Sequence, residues 1–203
     1  QYHQILKKEH IDKAKEITVN LHMAPLPEYR GCNQFSFAIL NDDSEFGTTL
    51  HRLEEGIDSG DILFEKKFQI PKNSWVQDLY DITYNQSVEL FKNSIEAIIF
   101  GDYELKPQAD FKLRKSSFHL RKEIQSIKEI DLNDSGDKIR KRIKSSYMPG
   151  FEPPYAYIGN GKVYFVREKD FKNLKMNIQF VDLNAQYKSI KTEIDNTIFD
   201  VIH

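Results

Sequence analysis

Asn20 and His22 stand two residues apart in a segment rich in β-formers. On an extended strand alternate side chains share a side, so the carboxamide and the imidazole face the same way. A carboxamide can donate an N–H to a developing oxyanion, and an imidazole changes charge close to neutral pH and can take a proton from an amine. An acid downstream, Asp58 in Asp58-Ser59-Gly60-Asp61, supplies a carboxylate able to orient the imidazole and stabilise its cationic form. Together these types fit an acyl transfer to an amine, and no metal is required. His51 is a rival base, since Thr49, His51 and Leu53 share one strand face; it reads more readily as a packed, hydrogen-bonded neighbour. His3, His10, His119 and His203 have no comparable company, and Cys32 reads as a small buried residue rather than a nucleophile.

The elements that must position these groups follow from pattern. A short helix is expected over Ile5–Ala14, and a strand over Ile17–His22 delivers Asn20 and His22 at its C-terminal end. Two prolines make residues 23–31 a shaped loop, and Asn33–Leu40 reads as a short helix. Two strands, Phe46–Leu53 and Ile62–Ile70, flank a turn over Glu54–Asp61 that carries Gly56 and Gly60. Ser74 and Gln77 have the spacing of a capping box, and the helix after them runs to Phe100, with Leu79, Ile82, Phe91, Ile95 and Ile98 inward and Gly101 as its stop. The polar stretch Tyr103–Arg121 reads as a boundary. A helix over Asp134–Ser145 carries Lys138, Arg140, Lys141, Arg142 and Lys144, either a solvated face or a hold for phosphate, and Tyr155–Phe165 reads as a hairpin turning at Gly159-Asn160-Gly161. Ile190, Ile194 and Ile198 give Ala185–Ile202 the period of an amphipathic helix.

In composition the 203 residues, 39% hydrophobic and 30% charged, fit a globular protein of one or two domains. A net charge of −2 gives no global case for binding nucleic acid or an acidic membrane, and a single cysteine excludes an internal disulfide. No apolar run has the length of a membrane span, and the polar first residues are unlike a signal peptide, so a cytoplasmic enzyme or binding domain is expected.

The run Asn20-Leu21-His22-Met23-Ala24-Pro25-Leu26-Pro27-Glu28-Tyr29-Arg30-Gly31-Cys32-Asn33-Gln34, with Asp58-Ser59-Gly60 later, resembles the 10-formyltetrahydrofolate-dependent formyltransferases, in the branch that formylates nucleotide-linked amino sugars. The likeness runs from Tyr2 to about Arg167. It implies an α/β fold: the C-terminal part of a Rossmann-like core (the N-terminal half, with much of the folate pocket, lying upstream of Gln1), a small C-terminal β-hairpin module and a terminal helix. It implies segments of 1–102, 103–170 and 171–203. It makes Asn20, His22 and Asp58 the catalytic residues and has Tyr29, Arg30, Gly31 and Gln34 shape the acceptor side. One aromatic of Tyr147, Phe151 and Tyr155 would stack on the nucleotide base, unless these rings are the module's own core. The turn Glu54, Glu55, Gly56 and Ile57 would meet the pterin of the donor, 10-formyltetrahydrofolate. The implied acceptor is a dTDP-linked dideoxy-amino sugar of surface polysaccharide (O-antigen, lipopolysaccharide) synthesis; a homodimer is compatible.

From Met176 the chain resembles the beginning of pyridoxal-phosphate-dependent sugar aminotransferases, without that family's lysine, so PLP is not expected on this segment. Two other functions stay open at this point. Methionyl-tRNA formyltransferase shares the core pattern but would carry a larger basic C-terminal domain. A non-catalytic remnant or interaction module is the other.

Overall fold

The computed structural model describes residues 6–173. The expected terminal helix and the aminotransferase-like segment from Met176 lie outside the described residues.

The first helix, α1 (Lys8–Ile11), is one turn long rather than the ten residues expected, and it buries none of its side chains. A helix with no packed face cannot offset the cost of its nucleus and stays short. Strand β1 (Val19–His22) pairs antiparallel with β3 (Glu45–Arg52), which pairs antiparallel with β4 (Ile62–Gln69), so the sheet order is β1-β3-β4. The ladder from β3 to β4 slips between Leu50 and His51. Such irregularities re-aim a side chain, and here the residue concerned is His51. Between β1 and β3 lie the two-residue β2 (Arg30–Gly31) and α2 (Gln34–Leu40).

The long helix α3 (Val76–Phe100) packs on this sheet and ends where Gly101 takes a left-handed conformation, φ 74°. Its start differs from the expected capping box. Ser74 turns its hydroxyl back to Pro71 O (2.7 Å), and Asp78 accepts from the Trp75 N–H (3.0 Å) instead. The inner stripe differs too: Thr83, Ser87, Leu90 and Ser94 are buried, while Ile82, Phe91, Ile95 and Ile98 are only half-buried. Small hydroxyl residues let helix and sheet approach closely, and Ser87 Oγ meets Thr48 Oγ1 of β3 at 2.7 Å. The core beside them gathers Ala24, Tyr29, Ala38, Phe46 and Leu79, with the Phe46 ring between those of Tyr29, Phe35 and Phe68.

Beyond α3 the chain is irregular as expected, yet it returns to the first part. Lys106 pairs with Ile62, and β5 (Phe118–His119) lies parallel to β2. Two helices follow, α4 (Ile124–Lys128), which has no counterpart in the expectation, and α5 (Gly136–Ser146), capped by the Ser135 hydroxyl. The hairpin of β6 (Tyr155–Ile158) and β7 (Gly161–Tyr164) turns at Gly159-Asn160 as its sequence requires. No helix of the described residues is long and apolar enough to cross a membrane.

Candidate active site

The register of the sheet sets Asn20 opposite His51 and His22 opposite Thr49. His51 is 1% exposed and both its ring nitrogens are engaged. Nδ1 lies 2.9 Å from Arg52 O, a carbonyl with no proton to give, so Nδ1 carries the hydrogen and donates. Nε2 is then an acceptor, and it takes a hydrogen from Asn20 Nδ2 at 3.1 Å. This fixes the Asn20 amide and leaves its second N–H free. His22 is fixed in the complementary way. Its Nε2 donates to Tyr29 O (3.0 Å), which leaves Nδ1 as the nitrogen with a free lone pair.

Asp58 reaches both imidazoles. Its Oδ1 lies 3.5 Å from His22 Nδ1 and 3.7 Å from His51 Nε2, while Oδ2 accepts from the Gly31 N–H at 2.9 Å. Asp58 is in the left-handed region (φ 50°), an unusual place for a residue with a side chain, so its turn needs support. Arg30 donates twice to Ile57 O, at 3.2 and 3.0 Å, and Arg52 grips Glu54 and Asp61. A proton accepted at His22 Nδ1 would therefore sit beside a carboxylate.

Burial pushes the His51 pKa down to about 4, and charge on His22 pushes the same way; Asp58 and Arg52 O oppose. The folded protein thus binds fewer protons here than the unfolded chain between about pH 4 and 6.5, so this contribution to stability is present above 6.5 and lost as pH falls toward 4. We expect denaturant unfolding to show about 3 kcal/mol less stability at pH 4 than at pH 7 from this group. His51→Gln, which keeps a donor and an acceptor, should flatten that part of the slope; an unchanged slope would refute the assignment.

The other expected residues are placed variously. Tyr29 is buried, its hydroxyl donating to Asp43 and accepting from Asn41, so its side chain belongs to the core and its carbonyl serves His22. Burial pushes that hydroxyl's pKa well up, so it is a neutral donor. Arg30 braces the turn through a carbonyl, Gly31 holds Asp58, and Gln34 is buried at the start of α2. In the turn, Glu54 pairs with Arg52, Gly56 has φ 125°, and Ile57 is 44% exposed. The N–H groups of Glu54, Glu55, Gly56 and Ile57 have no partner among the described residues.

Of the three aromatics that could stack on the base, two require correction. Tyr147 is buried edge-on against Trp75, and Tyr155 is buried edge-on to Tyr157 and Tyr164 with Lys162 over its ring. Buried rings have no free face for a base: Tyr155 belongs to the module's own core, and Tyr147 packs the module against Trp75 at the start of α3. Phe151 is 48% exposed. The basic run of α5 is likewise occupied: Lys138 pairs with Asp134, Arg140 with Asp137 and Lys141 with Asp42, Arg142 donates to Ser126 O and Glu129 O, and Lys144 donates to Asn73. Lys141, Arg142 and Lys144 tie the helix to neighbouring segments, whereas Lys138 and Arg140 pair locally on its exposed side.

What the pattern did not reveal is how the 103–121 segment grips the site. Gln108 donates to Asp58 O and Gly60 O; Arg114 donates to Leu26 O and binds Glu65 with both arms; Ser117 receives the Tyr29 N–H. His119 stacks on Phe37 at 3.6 Å and pairs with Glu123. Isolated polar residues in an irregular stretch carry no periodic signal, so nothing in the sequence marked them.

Two fixed imidazoles sharing one carboxylate, with an oriented amide bound to one of them, form an arrangement suited to acyl transfer, and the comparisons with known proteins agree. Residues 1–95 match the formyl transferase family model. The matched stretch contains every residue of the cluster, while Gln108, Arg114 and Ser117 lie beyond it. The chain is 30% identical over 199 residues to methionyl-tRNA formyltransferase of Clostridium beijerinckii, covering 98% of this chain and 57% of that protein. It is 28% identical over 169 residues to GDP-perosamine N-formyltransferase of Brucella melitensis, covering 83% of this chain and 62% of that one. Among solved structures, an N-formyltransferase from Helicobacter canadensis in complex with folinic acid and dTDP-3-aminofucose superposes with a TM-score of 0.67 at 29% identity, over 79% of this chain and 57% of that chain. The chain thus spans little more than half the length of these relatives, and the α/β fold is that of formyltransferases.

Proposed function

We propose that the protein is an N-formyltransferase that moves the formyl group of 10-formyltetrahydrofolate onto the amine of a nucleotide-linked amino sugar, with a dTDP-linked dideoxy-amino sugar of surface polysaccharide synthesis as the acceptor. The observation that carries this reading is the convergence of Asp58 Oδ1 on His22 Nδ1 (3.5 Å), beside an Asn20 amide with one N–H to spare. The uncharged amine attacks the formyl carbon and a C–N bond forms. The oxyanion takes the free Asn20 N–H, and the amine proton passes to His22 Nδ1, where Asp58 stabilises the imidazolium. The bond to N10 then breaks, N10 takes a proton, and a formamide and tetrahydrofolate result. The unpartnered N–H groups of residues 54–57 suit the polar edge of a pterin. Arg30 and Gly31 border the acceptor side.

The runner-up, methionyl-tRNA formyltransferase, is favoured by the identity to the Clostridium beijerinckii enzyme over nearly the whole chain. Against it, Lys141, Arg142 and Lys144 of the α5 run are tied to neighbouring segments of the protein. The test is to give the full-length protein 10-formyltetrahydrofolate with dTDP-linked 3-amino and 4-amino sugars, or with charged initiator tRNA, and to follow tetrahydrofolate release and the mass of the product. Formylated sugar nucleotide is expected. Formylated aminoacyl-tRNA alone would move the assignment to the runner-up, and no product from either would end it.

A further inference from the structure

We propose that Gln108 is a positioning residue for Asp58. Its Nε2 carries two hydrogens, and the structure gives each a use: one donates to Asp58 O and the other to Gly60 O, both at 2.8 Å. These two carbonyls converge on a single amide. Without it two acceptors would lie side by side with no donor, a situation costly for partly buried groups. The residue so held has φ 50°, where an L side chain is disfavoured by about 1–2 kcal/mol. The Asp58 backbone is therefore held by its surroundings rather than by its own preference.

Gln108 is itself well anchored. It opens the short 3₁₀ turn Gln108–Asp110 after Pro107, and the neighbouring Lys106 exchanges both backbone hydrogen bonds with Ile62, each 2.9 Å. β4 thus fixes Gln108, and Gln108 fixes the turn that leads into β4. The other supports of Asp58 come from elsewhere: the Gly31 N–H holds one carboxylate oxygen, and Arg30 holds the carbonyl before it. Three donors from two distant segments set where the carboxylate stands against His22. Of these three residues only Gln108 acts from outside residues 1–95, the stretch that matches the family model.

The kinetic arm of the test rests on the formyl-transfer reading; the spectroscopic arm does not. Gln108→Met keeps the length and removes the donor. In the full-length protein it should lower kcat by about 10- to 100-fold, the size associated with misplacing a reacting group by an ångström, with KM for either substrate within about threefold. In an Asp58→Asn background the same substitution should add nothing, since a residue acting through Asp58 has nothing left to position. Independently of turnover, amide hydrogen exchange at Gly31, whose N–H is held by Asp58 Oδ2, should quicken by about tenfold in Gln108→Met, followed by NMR, as the carboxylate moves away. Gln108→Ala, which leaves room for water, takes its place should the methionine variant not fold. A wild type without formyl transfer speaks against the proposed function alone. Unchanged exchange at Gly31, or kinetic losses that multiply with those of Asp58→Asn, overturns the role of Gln108.

Discussion

His22→Ala is expected to reduce kcat for formyl transfer by about a hundred- to ten-thousand-fold, the range for a general acid–base residue. The reason is that no other base can stand in. His51 lies across the same carboxylate, but its Nδ1 hydrogen is given to Arg52 O and its Nε2 is filled by the Asn20 amide. Burial holds His51 neutral, and a proton placed on Nε2 would break the bond that orients Asn20. Asn20→Ala should cost about a hundred- to a thousand-fold, as for a lost oxyanion donor. Each change leaves a buried acceptor without its donor, Tyr29 O in the first and His51 Nε2 in the second, so a stability loss of about 1–3 kcal/mol accompanies it. Steady-state kinetics beside a thermal melt will check both. A His22→Ala enzyme within about threefold of wild type would show that the cluster is not the reacting site.

Gly60→Ala is expected to be the most damaging single methyl in the described chain. A Cβ at Gly60 would lie 1.9 Å from Arg52 O and 2.8 Å from Arg52 C, both backbone atoms of β3. Backbone cannot swing aside as a side-chain tip can, so the turn must separate from the end of β3. The Arg52 N–H to Asp61 O bond (2.8 Å) and the Arg52–Asp61 ion pair (3.0 Å) close this same turn. A loss of about 3 kcal/mol or more is expected, at the upper end for overpacking, and Asp58, two residues away, should be displaced with it. Gly101→Ala is the matched control. There the backbone is left-handed, φ 74°, but nothing lies within 4 Å, so the penalty is conformational and near 1 kcal/mol. Equal melting temperatures for the two variants would contradict the close approach.

The elements that a local pattern can encode were legible, and those that depend on a distant partner were not. The hairpin at Gly159-Asn160, the helix stop at Gly101 and the strands either side of Glu54–Asp61 rest on turn chemistry and alternation within a few residues. Of the residues expected on the inward face of α3, Leu79 is buried, but hydrophobicity alone also selects Ile82 and Phe91, whereas close approach to β3 selects Thr83 and Ser87. Tyr147 and Tyr155 were open between base stacking and core for a similar reason: an aromatic has one signature in sequence and two uses in space. The stretch 103–121 looked like a boundary since it has no periodicity, yet its hydrogen bonds reach residues 26–31 and 58–65.

The amino-acid order by itself determined which groups are available for chemistry and which strand end and turn present them, because a strand's alternation and a turn's residue types are local properties. Tertiary structure alone decided which nitrogen of His22 is free, that both nitrogens of His51 are engaged, one of them by Asn20, and that Gln108, Arg114 and Ser117 bond to the segments around the cluster. Those outcomes are settled by which donor meets which acceptor across separations of up to 88 residues, and the chemistry of a side chain does not name its partner until the chain has folded.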